Sequence, residues 1–251
     1  MRAKLLIIYT LCFLAAFMSC KKVPLTVGPI VTQIRALDDF AEVYVNDNIN
    51  ITLVRDDTCY IEITTGKNII DNITNEVNNG SLSICNTTTL NWIRPYNYQL
   101  DVTLHFKDIT NLIYASSGVL ATSENFTGQL PSNEFYRFEV DGGSGDIDLN
   151  VNNCADFRLI YHYGTSRVNI HGSNNKFFDI YKRSYGVIDA QNYDAETVTL
   201  DVYSPSDCFI SASKLIDATI NDLGHIYYKG DPDSIQVTYG QYARGKLLPL
   251  N

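Results

Sequence analysis

From residue 118 onward one short pattern returns at nearly regular intervals, and it limits what this chain can fold into more than any other feature. Aligned on Gly145 of "SGDIDL", it reads "SGVLA" at Gly118, "TSRVNI" at Ser166, "YGVIDA" at Gly186, "DCFISA" at Cys208, "LGHIYY" at Gly224 and "RGKLL" at Gly245, with spacings of 27, 21, 20, 22, 16 and 21 residues. An alternating apolar run precedes each corner, as at Phe138 and Val140, Leu159 and Tyr161, Val198, Leu200 and Val202, or Ile216, Ala218 and Ile220. A unit of about twenty residues is too small to close a core of its own, so it must bury its inward face against its neighbours. The pattern predicts a stacked coil of short strands with rungs of roughly 20 residues.

The first half carries the same two-residue period without the regular corners. Val43 and Val45, Ile49, Ile51 and Leu53, Ile61 and Ile63, Leu82 and Ile84, and Leu100, Val102, Leu104 and Phe106 alternate with polar residues, the mark of half-buried strands. The chain is therefore expected to be all-β. One stretch has a helical spacing: Ile69, Ile70, Ile73 and Val77 in "GKNIIDNITNEVNNG" predict a turn or two of helix or a structured loop.

The densest cluster of glycine and acid, "DGGSGDIDL" at Asp141 to Leu149, invites a ligand reading. A calcium loop of the repeats-in-toxin pattern would place an aspartate five positions after Gly142, where Ile147 stands, while the acids fall at Asp146 and Asp148. A phosphate cradle would need a further glycine, a lysine or a helix start. The remaining reading is a corner between two strands, with glycine supplying the positive φ that such a turn requires.

The amino terminus reads as an export signal: Arg2 and Lys4, then an apolar run from Leu5 to Met18, then Ser19 and Cys20. "FMSC" resembles a bacterial lipobox, whose cysteine is acylated, so residues 1–19 are expected to be removed and Cys20 to become the lipidated N-terminus. More than one acyl chain holds a protein stably on a membrane. Residues 20–30, including the acid-free "KKVPLTVGP", read as a tether, and residues 31–251 as a single domain. Loss of Arg2 and Lys4, with no carboxylate among those nineteen residues, takes the net charge from −9 to −11. Such a chain repels phosphate backbones and argues against nucleic-acid partners. Cys59, Cys85, Cys154 and Cys208 match no metal spacing and read as free thiols; Cys59 and Cys85 are expected in neighbouring strands, which leaves a bridge between them open, while a Cys154–Cys208 bridge is excluded by rung separation.

The order of "IRALDDFAEVYVNDNINITLVRDD", "CYIEITTGKNIIDNITNEVNNGSLSI", the serine-glycine corners and "IYYKGDP" resembles the GIN-domain family of autotransporter adhesin heads, mostly exported lipoproteins of Bacteroidota. The resemblance implies a right-handed parallel β-helix-like fold and carries no catalytic residues with it. It also implies a place at the outer membrane. Surface-exported lipoproteins of that group carry acids soon after the lipidated cysteine, whereas here Lys21 and Lys22 follow it and the first carboxylate is Asp38, so the periplasmic and outer faces both stay open.

Three function classes compete. A polysaccharide lyase or hydrolase would draw on Asp141, Asp146 and Asp148 with Arg167 one rung on, or on His105, His162, His171 and His225, but no spacing fixes a partner for these imidazoles. A purely structural envelope spacer needs no site at all. A non-enzymatic binding or adhesin-like role, toward a glycan or an envelope or host protein, draws on the seventeen tyrosines and on "NWIRPYNYQL", where Trp92, Arg94, Tyr96 and Tyr98 offer apolar faces with polar rims. The chain is read as a binding or scaffold protein without catalytic residues, cofactor or metal, anchored to a membrane by lipid.

Overall fold

The computed structural model describes residues 26–89, 98–123 and 135–250. Residues 1–19, read as a signal peptide, and Cys20, Trp92, Arg94 and Tyr96 lie outside the described residues. Within them the chain is all-β, as the alternation predicts: eighteen strands in one large sheet that does not close, and a single turn of 3-10 helix at Ile70–Asn72.

The first nine strands are β1 (Ile30–Ala36), β2 (Glu42–Asp47), β3 (Asn50–Arg55), β4 (Tyr60–Gly66), β5 (Ile73–Asn78), β6 (Ser81–Asn86), β7 (Leu100–Phe106), β8 (Asn111–Ser116) and β9 (Leu120–Thr122). The rest are β10 (Phe135–Gly143), β11 (Ile147–Asn150), β12 (Asp156–Tyr163), β13 (Val168–Lys182), β14 (Ile188–Val202), β15 (Cys208–Ile220), β16 (Ile226–Lys229), β17 (Ser234–Tyr239) and β18 (Leu247–Pro249). From β8 onward every pairing is parallel and skips to the next turn of the chain, so that Ile147 lies beside Val168, Val168 beside Ile188, Ile188 beside Cys208, Cys208 beside Ile226 and Ile226 beside Leu247.

This register stacks like on like. One inward file runs Leu82, Val43, Leu112, Phe138, Leu159, Ile180, Leu200, Ala218 and Val237. All are buried except Val237 on the last strand, which is half-buried. Burying each leucine of such a file contributes about 1.5–3 kcal/mol, an upper bound because denatured chains are partly collapsed. The neighbouring file runs Val45, Tyr114, Val140, Tyr161, Lys182, Val202 and Ile220. Its polar ends are satisfied inside: Tyr114 donates to the Gly118 carbonyl, Tyr161 to that of Ser166 at 2.8 Å, and the fully buried Lys182 ammonium to the carbonyls of Ser206 and Asp207 at 2.8 and 2.9 Å. Burial lowers the Lys182 pKa.

Four expectations need correction. Within "DGGSGDIDL" Gly143, with φ 90°, does supply positive φ, but the aligned corner glycines are not chosen for it: Gly118, Gly145, Gly186, Gly224 and Gly245 all lack it. A Cβ on each would instead overlap the carbonyl oxygen of the turn beneath, of Ile49, Gly118, Ser166, Ser206 and Gly224 respectively. The same column shows Ser206, two residues before Cys208, as the true equivalent. A slip of two keeps every side chain on its face, so alternation could not expose it.

Third, the helix-like stretch is mostly strand. After the 3-10 turn, β5 pairs antiparallel with β6 across Asn79 and Gly80, whose φ values of 51° and 80° match a two-residue I′ hairpin. With β1–β4 and β4–β7, this puts three antiparallel pairings beside the parallel ones of β2 and β3, where the stacked-coil reading expected parallel strands throughout. Fourth, Cys59 and Cys85 do not sit in neighbouring strands: Cys59 precedes β4, which pairs with β1 and β7, while Cys85 is in β6, which pairs with β2 and β5. All four thiols are free, Cys85 half-buried and the others buried. Burial pushes the Cys154 thiol up to about 11 and raises that of Cys208.

A candidate binding corner

The turns that follow β8, β10, β12, β13, β14, β15 and β17 stack into one corner. Inside it, serines satisfy carbonyls of the turn below: Ser184 donates to Gly164, Ser204 to Ser184, and Ser206 to Gly186 at 2.9 Å. Backbone amides do the same, Thr165 to Gly143 at 3.0 Å, Arg183 to Tyr161 at 2.9 Å, Tyr203 to Lys182 at 2.7 Å, Asn221 to Val202 at 2.9 Å and Gly240 to Ile220 at 2.8 Å. With glycine or serine pointing inward at these turns, the bulky residues are left facing water.

The outward side is where apolar surface concentrates. Among the described residues eleven large hydrophobic side chains are exposed, and six of them, Val119, Tyr163, Tyr185, Tyr203, Leu223 and Tyr242, stand on this corner. Tyr163, Tyr185 and Tyr242 are 69%, 71% and 76% exposed. Monomeric proteins rarely align apolar side chains this way without a partner. A cleft of about 330 Å³ opens between two of the turns, lined by His162, Tyr163, Gly164, Arg183, Ser184 and Tyr185. Arg183 lies over the Tyr203 ring at 5.9 Å, and Tyr181 bridges His162 and Tyr203, each ring centre 6.0 Å away.

The imidazoles have partners that linear spacing hid. His162 Nε2 is 3.2 Å from Glu139, His171 Nδ1 3.4 Å from Asp148, His105 Nδ1 3.1 Å from Asp56 and His225 Nδ1 3.7 Å from Asp207. Each pairing joins different strands or turns, so no local motif announces it. In the corner cleft, Ser184 gives its proton to the Gly164 carbonyl and not to His162. Arg167 pairs with Asp189 at 3.1 Å. Among the described residues no group of three or more His, Cys, Asp or Glu side chains is placed to hold a metal ion, and no helix is long and apolar enough to cross a membrane.

Of the aromatic set singled out in the sequence, only Tyr98 is among the described residues. It is half-buried, packs against the core and accepts a hydrogen bond from Asn86 Nδ2 at 3.0 Å. The corner tyrosines escaped notice because they stand at variable distances from the aligned glycines. Their signal was a bulky residue at most of the corners, that after β10 excepted. A second cleft, of about 570 Å³, lies across the bends within β13, β14 and β15, lined among others by Asn174, Asp194, Ala195, Glu196, Ala212 and Lys229.

Comparison with known proteins gives a fold and a family. The fold is shared with a "putative adhesin" from Bacteroides fragilis (17% identity, 90% of this chain and 99% of that one, TM-score 0.78). It is shared also with a "putative lipid binding protein" from Parabacteroides distasonis (18% identity, 89% and 98%, TM-score 0.58) and a "putative adhesin" from the same species (16%, 89% and 98%, TM-score 0.52). No curated protein matches. Residues 39–232 match the family model described as "Putative auto-transporter adhesin, head GIN domain", and the chain belongs to that family.

Proposed function

We propose that this chain is a non-enzymatic, adhesin-like binding protein of the cell envelope that takes carbohydrate on its tyrosine corner. One observation carries the reading: among the described residues, six of the eleven exposed large hydrophobic side chains fall on a single edge, on six of its seven turns. Tyrosine suits sugar because its ring packs on C–H faces while its hydroxyl stays hydrated. The family description, an adhesin head, supports the same class. The parallel register of the second half supports a right-handed parallel β-helix as the scaffold, and "FMSC" supports a lipid anchor at Cys20 that would keep the corner near an outer-membrane surface. The segment with Trp92, Arg94 and Tyr96 would supply a second contact.

A glycan array probed with the full-length protein in detergent tests the reading. Binding lost in Tyr163→Ala/Tyr185→Ala with an unchanged melting temperature supports it. Undiminished binding by the double variant would move the site elsewhere. Metabolic labelling with a fatty-acid probe, lost in Cys20→Ala, tests the anchor, and protease shaving of intact cells tells an outward face from a periplasmic one.

A further inference from the structure

The corner's charge points to the kind of sugar. Seven arginines lie among the described residues. Arg55, Arg137, Arg158 and Arg167 pair with Asp108, Glu139, Asp179 and Asp189. Arg35 donates to the carbonyls of Ile70 and Ile73 and to Gln33 and Asn75. Arg183 and Arg244 are left, and among the described residues neither guanidinium has a carboxylate within ion-pairing distance. Both are exposed, and both stand on the tyrosine corner, Arg183 in the cleft between Tyr163 and Tyr185 and Arg244 two residues after Tyr242. On a chain of net charge −9, where four other arginines pair with carboxylates, these two exposed guanidinia stand beside exposed aromatic rings, with Asp207 and Asp222 on the turns between them.

Resting on the carbohydrate reading of this corner, we propose that its ligand is an acidic linear glycan lying along the stack, with sugar faces on Tyr163, Tyr185 and Tyr203 and its anionic groups on Arg183 and Arg244. Guanidinium is the side chain best matched to a carboxylate or sulfate, since it offers two parallel N–H donors. Arg183 and Arg244 belong to turns three steps apart, roughly 14 Å at the usual strand spacing. Such a separation selects an extended polymer over a single sugar. An acidic peptide fits less well. Extended peptides dock by adding to a free strand edge, whereas the corner's amides at Thr165, Arg183, Tyr203, Asn221 and Gly240 are already bonded to the turn below. Only side-chain faces remain for recognition.

Titration calorimetry on the full-length protein in detergent, at low and physiological salt, separates the alternatives. The probes are oligogalacturonate, its methyl ester, a sulfated chondroitin oligosaccharide, a neutral cello-oligosaccharide and polyglutamate. The acid is expected to bind about tenfold or more tighter than its neutral ester, the scale of one charge-assisted hydrogen bond. Arg183→Gln and Arg244→Gln should each remove that preference and its salt dependence while residual binding of the ester persists. Tyr163→Ala/Tyr185→Ala should remove binding of both. Preference for the sulfated over the uronate probe, lost in the same arginine variants, would support the inference and name sulfate as the anion. Equal affinity for acid, ester and neutral sugar would overturn the acidic inference while leaving the carbohydrate reading intact. Tighter binding of polyglutamate than of any sugar would overturn both. Each surface variant is checked by its melting temperature.

Discussion

Replacing Lys182 with Met tests how the stack tolerates an ammonium inside it. Lys182 has no solvent exposure, and its charge is held by two carbonyls, with no carboxylate in ion-pairing range among the described residues. Two hydrogen bonds to a charged donor contribute about 1.5–3 kcal/mol each, against a desolvation penalty of several kcal/mol for one buried ion. These nearly cancel. Methionine removes both contributions and leaves the Ser206 and Asp207 carbonyls without this donor, at about 1–3 kcal/mol each, partly offset by its added apolar burial. Lys182→Met should therefore cost about 2 kcal/mol at neutral pH.

The pH dependence is the sharper test. The folded-state pKa of Lys182 is lowered, with burial as the leading cause. Between that value and the unfolded value near 10.5, the unfolded chain binds more protons, so wild-type stability gains from this group as pH rises. Below the folded-state pKa both states are protonated and there is no slope. Removing the cation also leaves the buried Cys208 thiol harder to ionise, which acts in the same direction. Urea titrations of both proteins from pH 7 to 10.5, at matched m-values, should show the wild-type advantage widening, with Lys182 contributing at most about 1.4 kcal/mol per pH unit. An advantage that narrows over this range would mean that the carbonyls hold the charge better than water does, and the reasoning would be wrong.

Gly145→Ala should cost more than about 3 kcal/mol, because its Cβ overlaps the Gly118 carbonyl, whereas Gly80→Ala meets open space and should cost only the roughly 1–2 kcal/mol of a left-handed backbone; chemical denaturation of the two variants compares them. Of Cys59, Cys85, Cys154 and Cys208, only half-buried Cys85 should react promptly with maleimide in the native protein, and peptide mapping without reduction should find no bridge among the four. Tyr185→Ala, on an exposed side chain, should change stability by less than about 0.5 kcal/mol, measured by denaturant titration, so that any loss of binding reports contact.

The strands of the second half were legible because alternation and corner both left marks: Ile147, Val168, Ile188 and Ile226 each follow their aligned corner residue by two. Strand direction was not legible in the first half, since a half-buried strand alternates in the same way whether its neighbour runs parallel or antiparallel. Asn79-Gly80 did announce a hairpin, but the 3.6-like spacing of Ile69, Ile73 and Val77 masked it. Lys182 occupies an inward position that polarity assigns to the surface. Its carbonyl partners come from the following turn and are invisible in the linear chain. The binding corner lay unread for a related reason, as Tyr163, Tyr185 and Tyr203 converge only when turns of slightly different length are stacked.

The column in which each glycine sits under the carbonyl of another turn makes strand register a quantised property of this molecule. A duplication of residues 168–187 would insert a stretch whose register, Val168 beside Ile188, already exists in the sheet. The one new interface would set β13 on a copy of itself in the register that β13 already keeps with β14, and the edge would gain another tyrosine and another arginine. Within a strand, gaining one residue would turn the side chains that follow to the wrong face, and gaining two would keep the faces but shift the corner column. Strand register is thus held turn by turn, while the bends and corners, where the register already shifts between β13, β14 and β15, absorb the single-residue differences between turns.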